Sequence, residues 1–360
     1  MFVYLFIIFL AFLCFVVNGR RFIYKNDYLE NPEVLSNTTQ DMVLLGFVLI
    51  MLTTLRSVTT GLDTPNYYNA FTFNLASIGF SDLFTVGLRG EVGYKFLALV
   101  LHTLGLGFQW VTLFEALVYV IPVVYVVHKY SRNPYYSLFL FVAYDYYLFS
   151  MSALRQTIAM GFVLMAFEMV ARKKTAAFFL FIALAIFFHF TAVVALPIYF
   201  LSRLSPSRRH IVAAFIASFF FFLLKNQMRH ILFRASRVAY GAVATGGTGM
   251  YLMMLSMVLL DVFCSKQDDW KISEVDTLIR YMMISVVVIY PLLQFNPAVF
   301  RLHFYYSILM IVYLPNVLRS LKSLSLGKMA NMGYTAVSVY YMFQYTFCQL
   351  GAVPYYFFWE

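Results

Sequence analysis

The stretches IVAAFIASFFFFLL (211–224) and MYLMMLSMVLL (250–260) are apolar on every face a helix could present. Runs of this kind, close to or beyond the roughly 20 residues that cross a bilayer's hydrocarbon, recur from Met1 to the C-terminus. In hydrocarbon every backbone N–H and C=O must be satisfied within the protein, which leaves only helices and closed barrels. Barrel strands would alternate with a period of two, whereas these runs are continuous. The expected fold is therefore an all-α, polytopic membrane bundle. Composition supports this: 62% of the 360 residues are hydrophobic and 12% are charged, against roughly 25% charged in an ordinary soluble domain. The opening MFVYLFIIFLAFLCFVV has no basic start and no small-residue cleavage site, so it reads as a retained first helix.

Apolar runs predict about twelve transmembrane helices, near 2–17, 42–59, 109–127, 135–150, 155–171, 176–188, 191–202, 211–224, 250–264, 278–294, 300–318 and 331–348. The segment 92–105 is too short to cross comfortably and is expected to be re-entrant or interfacial. Residues 1–360 then form a single polytopic domain. The outer loops fall at 60–108 and 225–249, and cytoplasmic loops at 18–41 and 265–277.

The net charge of +10 could point to nucleic acid, but its distribution points to a membrane. With both termini outside, basic residues gather in one set of connections, at Arg20–Lys25, Lys129–Arg132, Arg172–Lys174, Arg203–Arg209, Lys266–Lys271 and Arg319–Lys328, with Arg280 near a helix end on the same side, as cytoplasmic loops do. Arg56, Arg89, Lys95, Arg155, Lys225, Arg229, Arg234, Arg237 and Arg301 remain on the other side. An arginine at membrane depth is costly unless it is paired or lines a watery cavity. Arg229, Arg234 and Arg237 fit an amphipathic segment lying on the outer surface. Arg155 and Arg301 instead open apolar helices at the outer boundary.

Arg155 and its neighbour Gln156 begin a helix whose sixteen-residue run to Ala171 rises about 24 Å, and the next helix returns to His189. Arg155 and His189 should thus lie at similar depth, with Thr191 beside them. QFNPAVFRLHFYY supplies an outer turn and then Arg301, with Tyr305 one helical turn later on the same face. LRSVTTGLDTPNYY adds Arg56, Asp63, Tyr67 and Tyr68 at the outer end of the second helix. Arg56 and Asp63 could simply pair to close that helix, and Asp145 or Glu115 could each neutralise an outer arginine. The alternative is a single outward-facing cavity. Guanidinium groups bind diphosphate oxygens two at a time, and tyrosines stack on sugar faces, so the set suits a lipid-diphosphate-linked saccharide. His189 and Asp63 are the candidate general bases.

Other signals read as structural. Cys14, Cys264 and Cys348 share no close spacing and are taken as packing residues. The five remaining histidines lack metal-ligand spacing. GAVATGGTGM lacks the lysine of a phosphate-binding loop. Glu168 and Arg172 should pair four residues apart on one helix.

GLDTPNYYNAF, EVGYKFLALVLHTLG, SALRQTIAMG followed by ARKK, FFHFTAVVALPIYF, RLHFYYSILMIVYLP and VPYYFFW occur in an order that resembles the EpsG-like family of exopolysaccharide and O-antigen polymerases, the Wzy type. Val92 stands where a proline is expected, and Leu62 where threonine is common. The resemblance implies a glycosyltransferase, for which a GT-C-like architecture is one option, that joins undecaprenyl-diphosphate-linked repeat units on the outer face of a bacterial inner membrane. It implies no cofactor, nucleotide sugar, metal or nucleic acid. Membrane lipid and a chain-length regulator protein are its expected partners. In that scheme Arg155 and Arg301 hold the leaving diphosphate, Arg56 assists, and His189 or Asp63 deprotonates the acceptor. An O-antigen ligase, a sugar acyltransferase, a flippase of the same lipid-linked saccharide and a non-catalytic subunit are the competing readings.

Overall fold

The computed structural model describes residues 2–14, 32–84, 91–205, most of 207–224, residue 227, 247–265, 273–293, 297–346 and 351–360. Among these residues all regular structure is helical, apart from two isolated antiparallel bridges. The helices that position the site are α1 (Phe2–Cys14), α2 (Pro32–Thr54), the short α3 (Thr64–Asn69), α4 (Val92–Thr103) and α5 (Phe108–Tyr130). They are followed by α6 (Pro134–Ala143), α7 (Tyr146–Ser150), α8 (Leu154–Ala171) and α9 (Thr175–Phe188). The second half contains α10 (Thr248–Cys264), α11 (Glu274–Leu293), α12 (Met310–Ser320) and α13 (Leu324–Tyr341). Of these, α5, α8 and α11 are long and apolar enough to cross a membrane, and α1, α4, α6, α9 and α10 are shorter apolar helices.

Helix starts follow local chemistry. Asn133 caps α6 by accepting from the Tyr136 amide, with proline in the first turn, and Ser323 caps α13 in the same way. Both satisfy amides that a helix start leaves open. Other boundaries depart from the sequence expectation because tertiary bonds intervene. Helix α2 starts at Pro32 rather than near 42, and its first half is tied to the bundle where Asp41 accepts from Tyr135 Oη and Thr39 bonds His128. The expected helix 135–150 breaks into α6 and α7 at Asp145, whose φ is 64°. Asp145 accepts from Tyr341 Oη and the Tyr146 carbonyl accepts from Tyr119 Oη; both hold the break in place. Pro197 interrupts 191–202, leaving a 3-10 turn at Phe190–Ala195 and a short helix at Ile198–Leu201. Likewise 300–318 divides into short helical pieces ahead of α12.

The helices α2, α5, α8 and α9 pack in succession, α5 against both α2 and α8, and α8 against α9. The last ten residues return to this layer as an extended strap. Ser57 N donates to Tyr356 O, Phe358 N to Leu55 O and Gly61 N to Gly351 O. Tyr355 Oη and Tyr4 Oη, from the strap and α1, donate to Leu52 O and Ala352 O. The strap therefore ties the 55–61 loop to the first two helices. Gly61 has a φ of +96°, and a Cβ there would meet Met151 O at 1.8 Å, so only glycine lets this loop lie against the turn between α7 and α8.

Candidate functional site

The end of α8 that carries Arg155 and the end of α9 that carries His189 meet beside the start of α4. Gly93 makes that meeting close: a Cβ there would stand 2.7 Å from Phe187 O. Glu91, ahead of α4, is thereby placed between them. Its Oε1 lies 2.6 Å from His189 Nδ1, and its Oε2 pairs with Arg155 Nη1. A single carboxylate thus bridges the arginine and the histidine. Burial opposes its ionisation, but the His189 hydrogen bond and the Arg155 charge outweigh that, so the Glu91 carboxyl titrates below the usual carboxylate range. With Glu91 ionised, His189 Nδ1 donates and Nε2 is left to act elsewhere. The three side chains are 21–26% exposed, which leaves them within reach of a solute.

Arg155 also lies over the Tyr67 ring, 5.4 Å from guanidinium carbon to centroid. Tyr67 is fixed by Tyr94, whose hydroxyl donates to Tyr67 O at 2.8 Å. Gln156, next to Arg155 on α8, donates to Arg301 O at 2.8 Å, joining the two arginine-bearing segments. Arg301 Nη1 lies 3.4 Å from Asp63 Oδ2 and over the Phe149 ring at 5.8 Å. Thr191 and Tyr305 share a 3.0 Å hydroxyl contact. His189, Arg155, Gln156, Arg301, Asp63, Tyr67, Thr191 and Tyr305 are therefore drawn to one end of the bundle, in two neighbouring clusters.

Arg56 is not among them. It is fully buried and donates to Glu115 Oε2 at 2.8 Å and to Thr53 O at 2.7 Å, while Thr157 holds the other Glu115 oxygen at 2.6 Å. Of the pairings the sequence leaves open, Arg56 with Asp63 does not form, while Glu115 on α5 does neutralise an outer arginine, Arg56, inside the helix layer. The guanidinium of Arg56 thus lies inside the helix layer, apart from the Glu91, Arg155 and His189 cluster. Tyr68 turns away from Arg155 and packs edge-on against Phe108, 5.5 Å between centroids. Neither Asp145 nor Glu115 balances Arg155; that partner is Glu91. In the sequence Glu91 stands only at the head of EVGYK, and nothing in local spacing links residue 91 to residues 155 and 189. At the opposite end Glu168 pairs with Arg172 as expected, and also receives Lys129 and Tyr130. Arg89, Lys225, Arg229, Arg234, Arg237 and Cys348 lie outside the described residues, as does most of the 225–249 loop.

A helical bundle with apolar membrane-length helices, an ion pair buried in its interior and a solvent-reached acid–histidine–arginine cluster at one end defines a polytopic membrane protein with a polar site. Within that class, a family model described as the EpsG family matches residues 42–357, and the chain belongs to that family. Membership sets it among membrane proteins of polysaccharide-polymerase type. No curated protein and no solved structure matches the chain.

Proposed function

We propose that the protein is a glycosyltransferase that polymerises lipid-diphosphate-linked saccharides, with the Glu91–His189–Arg155 end facing the outside of a bacterial inner membrane. The basic end, with Arg172, Lys173 and Arg203, then faces the cytoplasm, in keeping with the charge rule, in an arrangement of about twelve crossings. The observation that carries the reading is the double engagement of Glu91. One carboxylate orients a histidine and a guanidinium together, which is what a transfer step needs when a proton must be removed beside a departing anion.

In this mechanism the acceptor is a hydroxyl of an incoming repeat unit, and the donor is a growing glycan on undecaprenyl diphosphate. The hydroxyl oxygen bonds to the donor's anomeric carbon as the bond from that carbon to the diphosphate oxygen breaks. The bonding electrons leave with the diphosphate, whose charge Arg155 and Arg301 stabilise. The hydroxyl proton passes to His189 Nε2, while Glu91 holds Nδ1 and supports the imidazolium. His189 is preferred to Asp63 as the base because Asp63 pairs with Arg301. Asp63 holds Arg301 ready until a more highly charged anion replaces it. Tyr67 stands beside Arg155, where a sugar would stack, whereas Tyr305 is buried and holds Thr191 in place.

The test is the glycan profile of a deletion strain complemented with wild-type, His189→Ala or Arg155→Ala protein. The deletion and both variants should show surface glycans of one repeat unit, at normal membrane abundance of the variants. Long chains of normal length distribution from either variant would rule out its assigned role. Lipid-linked units trapped inside, with no single-repeat glycan at the surface, would favour a flippase instead.

A further inference from the structure

A cavity of about 750 Å3 opens at the end of the bundle remote from Glu91 and His189. Helix α9 separates the two places: Thr175 lines the cavity and His189 follows its other end, about 20 Å away at 1.5 Å per residue. The volume falls within the range of small-ligand sites, and the transfer reaction gives it no task. It is lined by the turn after α8, the start of α9, the turn after Ile198–Leu201 and the start of α11.

Its chemistry is cationic and rich in hydroxyls. Lys173 adopts a left-handed backbone with φ 60°, a conformation uncommon for a residue with a side chain. Arg203 lies over the Tyr199 ring, 4.4 Å from the centroid, which orients its guanidinium at the rim. Ser202 and Thr175 add hydroxyl groups. The lone carboxylate among the lining residues, Glu274, pairs with Lys173 at 2.9 Å, but both side chains are about three-quarters exposed, 74% and 75%. Such an exposed pair is weak and exchanges readily.

From the cavity and these two cations we propose that this is a binding site for a phosphate ester, separate from the transfer site, with Lys173 and Arg203 as its ligands and Glu274 as an internal competitor. A phosphate monoester carries more charge and more acceptor oxygens than a carboxylate, and a diester headgroup carries the same single charge, so either exchanges with Glu274 at its exposed, weak pair with Lys173 and accepts from the Arg203 fork. Two sources present that chemistry at this end of a membrane protein: the headgroup of an anionic lipid and a soluble phosphate compound.

The experiment uses the full-length protein in detergent and follows its thermal midpoint as short-chain phosphatidylglycerol, short-chain phosphatidylcholine or inorganic phosphate is titrated in. A rise with phosphatidylglycerol alone assigns the site to a lipid headgroup, and a rise with inorganic phosphate assigns it to soluble phosphate. The doubly substituted Lys173→Ala, Arg203→Ala protein should bind on the order of tenfold more weakly or worse, as expected for loss of charge-assisted bonds. Glu274→Gln should bind more tightly than wild type, which simple loss of folding could not mimic. No rise with any of the three compounds overturns the proposal. So does an equal rise with the zwitterionic lipid, or a response unchanged in both variants.

Discussion

At the scale of single residues, two arginines with the same sequence signature have opposite fates. Arg56 is enclosed with Glu115 in the helix layer, whereas Arg155 shares Glu91 with His189 at a solvent-reached end. Removing one partner of a buried pair leaves an uncompensated charge, at a cost of about 3–5 kcal/mol. Arg56→Ala should therefore reduce membrane abundance and thermal midpoint, and adding Glu115→Gln should restore part of the loss. Arg155→Ala should leave abundance near wild type while polymer formation falls by roughly 10²–10³, the range for removing a group that stabilises developing charge. Immunoblots of membranes read beside glycan profiles separate the two. Glu91→Gln keeps the shape but removes the charge, and should lower the rate on the order of 10² through a misoriented base. Its pH behaviour has a defined sign. A carboxyl with a depressed folded pKa contributes stability above its unfolded value, near 4.5, and loses that contribution as pH falls through the lower folded value. Between pH 7 and 4.5 the wild-type midpoint should not change on account of Glu91. Below 4.5 it should fall, and Glu91→Gln should show a shallower fall.

At the scale of elements, the site depends on helix ends rather than helix faces. Glu91 precedes α4, Arg155 lies in the first turn of α8, and His189 caps the end of α9. Their convergence needs α4 to approach the Phe187 carbonyl closely, which Gly93 permits. Gly93→Ala should force these ends apart, destabilising by about 1–3 kcal/mol as overpacking does. It should also lower polymer formation by more than that stability loss explains. A normal glycan profile from a stably folded Gly93→Ala protein would show that the close approach is not needed. The helix layer behind these ends was largely legible in the sequence, because continuous apolar runs report burial in lipid or core. The break at Asp145 was not. It is held by bonds from residues far along the chain, Tyr119 to Tyr146 and Tyr341 to Asp145.

At the scale of the whole molecule, the two chain ends meet at the site end of the layer. The strap 351–360 bonds the loop 55–61 and accepts from Tyr4 of α1. That loop leads directly into Asp63, so deleting residues 351–360 should lower the thermal midpoint and remove polymer formation together, as measured on purified protein and in complemented cells. The amino-acid order by itself determined the class of fold, since uninterrupted apolar runs leave a chain only helices to form in hydrocarbon. It also placed Arg155, His189 and Arg301 at one end, because helix rise converts sequence distance into depth. Which acid meets which base was decided only by the tertiary structure. Depth along a helix says nothing of lateral neighbours, and the pairing of Glu91 with Arg155 and His189, and of Glu115 with Arg56, depends on which helices pack side by side.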